Sequence, residues 1–204
     1  MPEVRRTQAQ RRAETSKALI DAAIETIVDK GYAQVTVKEV CRRAGVSHGG
    51  LFGRFPTLFD LVAAAAAEVG KRQRESFVAK MNQLPDRSDL TEVLSLWRSA
   101  ARDPINAVWL ELTMAARTDP ALREKLEVVR LEYAAALVTG GVKMPSARGL
   151  SVEQVLALGS IVVFCFDGDA LSTGAFPQPE QDAARMAVFS EMVGHYLAAH
   201  RGPA

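Results

Sequence analysis

The stretch 36–55, "TVKEVCRRAGVSHGGLFGRF", determines how the first quarter of the chain folds. Thr36 followed by Glu39 forms a capping box, which predicts that a helix begins at residue 37. Apolar residues at helical spacing continue this helix to Ala44, and Gly45 stops it.

A second and weaker helix follows directly. Ser47 is a candidate N-cap for a helix over 48–55, although Gly49 and Gly50 each cost about 1 kcal/mol of helix propensity. Two helices joined by a short glycine-containing turn make a helix-turn-helix, whose second helix can enter the ~12 Å major groove of DNA. Close approach to DNA and tight packing against a neighbouring helix both explain the two glycines, and both explanations remain open.

The rest of the 204-residue chain also predicts helices and no strands. The expected fold is all-α, with a three-helix helix-turn-helix domain in residues 1–58 (motif about 36–55) and a helical domain in 59–204. The remaining periodic segments predict helices at about 8–30, 57–82, 89–101, 104–117, 120–138, 151–166 and 180–199, with loops at 139–149 and 172–180.

Composition argues for a globular protein of the cytoplasm. Hydrophobic residues make up 48% of the chain and charged residues 24%. The charged N-terminus lacks the apolar core of a secretory signal, and no apolar run reaches the ~18 residues of a membrane helix, so no membrane partner is expected. Cys41 and Cys165 fit no metal or redox spacing.

The motifs of an enzyme are missing. The sequence shows no nucleophile motif, no phosphate-binding glycine loop and no metal-ligand spacing, and the Asp167–Asp169 pair lacks a flanking His or Cys. We therefore expect no catalytic activity, no cofactor and no metal.

Charge is unevenly distributed. Residues 1–56 hold ten Lys or Arg and six Asp or Glu, whereas residues 57–204 hold fifteen and eighteen. A basic N-terminal segment favours an anionic partner for that part of the chain, although solvated helices show similar imbalances.

Residues 31–62, "GYAQVTVKEVCRRAGVSHGGLFGRFPTLFDLV", resemble the DNA-binding unit of the TetR family of bacterial transcriptional regulators. The family pattern is Gly-aromatic, a Thr-initiated helix, Ala-Gly-Val-Ser, and a glycine-containing recognition helix that ends in an aromatic residue, then Phe and a polar cap. The likeness covers most of residues 12–62. It implies contacts to double-stranded DNA from Thr36, Lys38, Arg42, Ser47, His48, Gly49, Gly50, Phe52, Arg54 and Thr57. The N-terminal basic run also resembles the flexible arms of some members; it consists of Arg5, Arg6, Arg11 and Arg12. The alternative is that this terminus is only a frayed, solvated end.

Four positions depart from the family pattern. Phe52 stands where most members have Tyr, so this chain lacks a hydroxyl that could reach a phosphate. Leu58 and His48 stand where Lys is frequent, and Gly50 replaces a side chain that often contacts bases. Direct reading of bases then depends more on the remaining polar side chains.

The C-terminal helices carry bulky apolar residues that suit either a core or an apolar effector pocket. "NAVWLELTMAARTDPALREKL" (106–126) resembles a segment of the ligand-binding domain in one branch of the family. The candidate pocket residues are Phe77, Met81, Leu94, Trp97, Trp109, Met114, Tyr133 and Phe164. Glu111, Arg117 and Asp167 are candidate polar groups of such a site, with surface salt bridges as the alternative.

The last two helices are the candidate homodimer interface. In the family these positions form a four-helix interface, and the alternative is the core of a monomer. The predicted interface residues are Val155, Leu158, Val162, Phe166, Met186, Phe189, Val193 and Tyr196.

The resemblance implies a dimeric regulator that binds a near-palindromic operator and is released by a small, largely apolar effector. A repressor is the first expectation. An activator, or a regulator that answers a protein partner, fits the same residues.

Overall fold

The computed structural model describes residues 7–86, 89–144 and 147–200, and these residues form helices and no strands. The all-α prediction is confirmed. The helices are α1 (Gln8–Lys30), α2 (Val37–Ala44), α3 (His48–Phe52), α4 (Leu58–Gln83), α5 (Leu90–Ala101), α6 (Ala107–Ala116), α7 (Pro120–Gly141), α8 (Val152–Ala175) and α9 (Pro179–Ala199). One-turn 3₁₀ helices lie at Tyr32–Gln34 and Pro104–Asn106.

Several helix ends differ from the prediction. Helix α3 stops at Phe52, and the turn that follows is closed by hydrogen bonds such as the one from the Phe55 N–H to the Leu51 carbonyl, 2.9 Å. Helices α7 and α8 extend into both predicted loops. Helix α8 ends just before Pro177, which cannot continue a helix.

Contacts along the chain divide it into two units, which are described separately. The head unit contains the described residues up to Lys71 together with Ala107–Val129. The body unit contains Arg72–Asn106 and the described residues from Arg130 onward. The predicted domain boundary at residue 58, where α4 begins, remains a prediction.

The head unit has a tightly closed core. Leu19, Ile27, Val40, Leu51 and Leu61 have no exposed surface, and they come from four of its helices. Each fully buried aliphatic side chain contributes roughly 1.5–3 kcal/mol relative to its exposed state. This burial holds α2 and α3 against α1 even though α3 is short and rich in glycine.

The body unit has its core where α5, α8 and α9 meet. Leu94, Val162, Phe166, Val193 and Leu197 form this cluster, and the rings of Phe166 and Phe189 pack edge to face at 5.1 Å.

This core includes or contacts most residues of the predicted dimer stripe. Val162, Phe166 and Val193 belong to the core cluster, and Leu158, Met186 and Phe189 pack against it. Val155 is buried close to the backbone of Gly141, and Tyr196 packs on His200 with ring centroids 4.3 Å apart. Six of the eight residues therefore help to close the core of the body unit, and the contribution of this stripe to a dimer remains a prediction.

The opposite side of α8 is apolar and exposed. Its stripe, which we call the outer α8 stripe, has alternating spacings of four and three residues and consists of Ala157, Ile161, Phe164, Gly168, Leu171 and Ala175. Val188 and Met192 are similarly exposed on α9, at 58% and 63%. Among the described residues, α8 is the one helix whose length and composition would allow it to cross a membrane. This is weak evidence for a membrane span.

An ion-pair network links the C-terminal half of α8 to α5 and to the first turn of α9. Asp169 on α8 accepts hydrogen bonds from Arg98 (3.1 Å) and Arg102 (2.8 Å) on α5, and Arg102 also pairs with Asp182 on α9 at 2.7 Å. Burial alone would raise the pKa of Asp169, but the two arginines outweigh it and hold that pKa below the usual value.

Candidate nucleic-acid interface

Side chains and glycines fix both ends of the turn between α2 and α3. The Thr36 hydroxyl accepts a hydrogen bond from the Glu39 N–H at 3.1 Å, and the Ser47 hydroxyl accepts one from the Gly50 N–H at 3.1 Å. Gly45 ends α2 in the left-handed conformation (φ 65°, ψ 29°), which costs a residue with a side chain more than it costs glycine. The helix-turn-helix predicted from this stretch is therefore present.

The two glycines of α3 have different reasons to be glycine. A Cβ atom on Gly50 would lie 2.7 Å from a Val46 methyl group and 3.3 Å from the Ser47 hydroxyl, so packing excludes a side chain there. A Cβ atom on Gly49 would meet nothing within 4 Å. Packing therefore explains Gly50 and leaves Gly49 unexplained by the chain itself.

Two exposed polar side chains of the motif, Lys38 of α2 and His48 of α3, have no protein partner among the described residues. Phe52 follows His48 by one helical turn and is 50% exposed, while Leu51 beside it is buried. We call Lys38, Arg42, His48, Gly49 and Phe52 the reading face.

Arg42 on the reading face is held in place by a carboxylate. Its guanidinium donates two hydrogen bonds to Glu39, at 2.9 and 2.7 Å, and Lys30 donates a third at 2.8 Å. The bonds from Arg42 and then Lys30 lower the pKa of Glu39 to about 2, so this carboxylate is ionised near neutral pH. Two cations on one carboxylate leave a net positive charge beside α2.

The other arginines of the motif turn inward. Arg43 is only 19% exposed and pairs with Asp29 at 2.7 Å and with Glu25 at 3.4 Å, so it ties α2 to α1. Arg54, a predicted DNA contact, is half-buried and donates to the Gly53 carbonyl at 3.3 Å. Its Nε atom is buried without a hydrogen-bond partner among the described residues.

Thr57 caps the start of α4 by a reciprocal arrangement. Its hydroxyl donates to the Asp60 carboxylate at 2.8 Å and accepts from the Asp60 N–H at 3.1 Å. Lys125 of α7 pairs with the same carboxylate at 2.9 Å, and these contacts, from Lys125 first, lower the pKa of Asp60. The predicted capping role of Thr57 is present, whereas a phosphate contact from it remains a prediction.

The basic N-terminal run is only partly described. Arg11 and Arg12 lie exposed on the first turns of α1. Arg5 and Arg6 lie outside the described residues.

The predicted pocket residues do not form one set. Met81 and Leu94 are buried in the body unit, where Phe77 and Trp97 stack with ring centroids 4.6 Å apart and Tyr133 is largely buried. Trp109 and Met114 belong to the head unit, and Met114 is 54% exposed. Phe164 is 71% exposed on the outer α8 stripe. The exposure of Met114 and Phe164 argues against placing either in an internal pocket.

Glu111 has a role that the sequence did not reveal. Its carboxylate accepts a hydrogen bond from the Tyr32 N–H, at the start of the 3₁₀ turn between α1 and α2, and lies 3.3 Å from where a Gly31 side chain would begin. Gly31 has φ 84°, a conformation that glycine adopts readily. Because 79 residues separate the two partners, local sequence signals could not predict this contact.

Comparison with known proteins places this head unit in a family. Residues 19–68 match the model of bacterial regulatory proteins of the tetR family. An uncharacterized HTH-type transcriptional regulator of Mycobacterium tuberculosis is 38% identical over 189 residues, covering 92% of this chain and 97% of that protein. The HTH-type transcriptional regulator CymR of Pseudomonas putida is 35% identical over 124 residues, 60% of this chain and 61% of its own length.

Solved structures share the fold of this chain. The crystal structure of a transcriptional regulator from Rhodococcus sp. Rha1 aligns with a TM-score of 0.67 at 20% identity, covering 93% of this chain and 99% of that one. Full-length similarity to the mycobacterial regulator and the capped helix-turn-helix lead to one conclusion: the chain is a DNA-binding transcriptional regulator that belongs to the TetR family.

Proposed function

We propose that the protein is a dimeric repressor that binds a near-palindromic operator through two copies of the reading face and leaves it when an effector binds the body unit. The observation that carries the proposal is the open surface at Gly49. A glycine that packing does not require, on a capped helix flanked by Lys38, His48 and Phe52, suits close approach of the helix to a DNA groove.

The outer α8 stripe supports the dimer. Exposed apolar residues spaced alternately by four and three form a seam that a second helix can cover. Ile161, Phe164 and Leu171 are 53%, 71% and 57% exposed, which is unusual for side chains of this size in a monomer. A two-fold pairing through α8 and α9 buries the same side chains on both subunits.

Two contacts within the head unit suit a response to an effector. Glu111 of α6 holds the Tyr32 N–H, and Lys125 of α7 holds Asp60 at the start of α4. Helices α4 and α7 each contribute residues to both units. An effector that favours a second arrangement of these helices lowers DNA affinity by shifting the population between the two states.

The test is selection of genomic DNA fragments by the purified protein at two salt concentrations. The proposal expects an enriched near-palindromic site whose binding weakens at the higher salt, because phosphate contacts dominate affinity. Arg42→Ala is expected to remove the enrichment, and Lys71→Ala, which removes an exposed cation of α4 outside the reading face, is the control. Enrichment of a site without two-fold symmetry would contradict the dimer, and no enriched site would contradict the operator-binding proposal.

A further inference from the structure

Two carboxylates of α8, two residues apart, have opposite surroundings. Asp169 is held by Arg98 and Arg102, whereas no Lys, Arg or His of the described residues forms an ion pair with Asp167. The one hydrogen bond that Asp167 receives from these residues comes from the neutral amide of Asn106, at 2.9 Å. Its charge therefore has no balancing cation within the described part of the body unit.

Asn106 fixes Asp167 without neutralising it. The Asn106 side chain is buried, donates to the Ala101 carbonyl at 3.0 Å as well as to Asp167, and accepts from Gln73 at 3.0 Å. The amide nitrogen and the amide oxygen of Asn106 are thus both occupied. One carboxylate oxygen of Asp167 is positioned by this chain, and the other accepts no hydrogen bond from the described residues.

Aromatic side chains lie next to this arrangement. Phe77 follows Gln73 by one turn of α4, and Trp97 precedes Ala101 by one turn of α5, so both lie one turn from residues that hold Asn106. Their rings contact each other in a tilted arrangement, with centroids 4.6 Å apart and an interplanar angle of 47°. Tyr133 of α7 is close enough for the Asp167 charge to add to the effect of burial, which raises the tyrosine pKa to about 12.

A carboxylate without a balancing cation, with Tyr133 close by and two further aromatic rings one helical turn from the residues that hold Asn106, is suited to an organic cation. Aromatic faces attract ammonium groups, and the carboxylate supplies the opposite charge in a partly desolvated place. An anionic ligand would be repelled there. One cation, Arg74, also affects the pKa of Tyr133 by its charge. Arg74 is exposed, however, and forms no ion pair with Asp167.

We propose that Asp167, Tyr133 and the Phe77–Trp97 pair recognise the effector, and that the effector is an organic cation with an apolar body, such as a hydrophobic amine or quaternary ammonium ion. This inference rests on the proposed function, since it names the chemical class of the effector assumed there.

The experiment measures ligand binding directly, without DNA. The probes are benzyltrimethylammonium and tetraphenylphosphonium, with tetraphenylborate as an anion that matches the second probe in size and shape. Binding is followed by calorimetry and by the fluorescence of Trp97 in a Trp109→Phe background. The inference expects saturable binding of at least one cation, no binding of the borate, and a loss of about tenfold to a hundredfold in cation affinity in Asp167→Asn.

Asp167→Asn keeps the shape and the hydrogen bond from Asn106, and removal of an unbalanced, partly buried charge is expected to leave the melting temperature unchanged or higher. Asp103→Asn, an exposed acid in the same unit, is the matched control for net charge. Absence of binding by both cations, or equal cation affinity in Asp167→Asn and wild type, would overturn the inference.

Operator release then separates this inference from the proposed function. If a neutral or anionic compound releases the wild-type protein from its DNA, and Asp167→Asn responds equally, the cation assignment fails while the effector-responsive repressor stands. If the protein binds no DNA site at all but the cations bind through Asp167, the proposed repressor fails and the cation site stands.

Discussion

The packing of the helix pair α2–α3 can be predicted from its sequence, whereas the packing of α8–α9 cannot. In α2–α3 each helix is short, begins at a hydroxyl cap and has one apolar side, so only one side of each helix can pack against the core. Helix α8 is apolar on nearly all sides, and two of its stripes qualify equally as an interface. One stripe closes the core of the body unit and the other remains exposed.

The comparison shows where sequence reasoning is strong. Caps and glycines act within four residues, which is why the sequence correctly predicts the ends of α1 and α2 and the caps at Thr36 and Ser47. Which side of α8 closes the core depends on its packing against α9 and against α5, which is distant in sequence, and local signals do not encode that packing. The predicted dimer stripe packs within the body unit, and its role in a dimer remains a prediction. The contacts of Glu111 and Asn106 are invisible to local reasoning for the same reason.

Substitutions of two phenylalanines on α8 are expected to have the largest effects, one on stability and the other on dimerisation. Phe166 is 5% exposed in the core and Phe164 is 71% exposed on the outer stripe. Phe166→Ala is expected to lower the free energy of unfolding by about 3–5 kcal/mol, because it leaves a cavity. Phe164→Ala is expected to weaken dimerisation by about tenfold or more, because it truncates the centre of the proposed seam.

Urea unfolding at fixed protein concentration and sedimentation velocity distinguish these two effects. A variant of Phe164 that sediments as wild type at every concentration would remove the outer α8 stripe from the dimer account.

Loss of the ion-pair network at Asp169 is expected to have the next largest effect on stability. Asp169→Asn is expected to cost about 1–3 kcal/mol of unfolding free energy, since it removes one of the two carboxylates, Asp169 and Asp182, that Arg98 and Arg102 share. The pKa of Asp169 is lowered in the fold, so its contribution is present above its unfolded pKa of about 3.9 and disappears as the pH falls through the lower folded value.

Denaturant unfolding between pH 7 and pH 2 measures this dependence. The wild-type protein should lose more stability on the acid side than Asp169→Asn does. Parallel curves for the two proteins would show that the network does not couple stability to pH.

Alanine substitutions of the two glycines of α3 distinguish close approach to DNA from packing within the chain. Gly49→Ala is expected to stabilise the fold by up to about 1 kcal/mol through helix propensity, yet to weaken operator binding by roughly tenfold, because its methyl group occupies the space meant for DNA. Gly50→Ala is expected to lower stability, because its methyl group meets Val46.

Thermal unfolding and fluorescence anisotropy with a labelled operator supply both quantities for each variant. Normal DNA affinity in a stable Gly49→Ala protein would mean that α3 does not approach DNA at that point.

A single lysine on α2 gives the smallest effect. Lys38→Ala is expected to leave stability unchanged and to reduce the dependence of log affinity on log salt by about 0.9 for each phosphate that the lysine neutralises. Lys71→Ala is the control, because Lys71 lies exposed on α4 outside the reading face. An unchanged salt slope in Lys38→Ala would show that Lys38 does not bind a phosphate.

The central claim is that two reading faces contact one operator. Hydroxyl-radical footprinting of the wild-type protein on a selected fragment tests it most directly. The account predicts two symmetric protected segments whose centres lie a whole number of DNA turns apart, about 10 base pairs each, with protection by Gly49→Ala appearing only at about tenfold higher protein concentration. A single protected segment, or protection by Gly49→Ala at the same concentration as wild type, would contradict it.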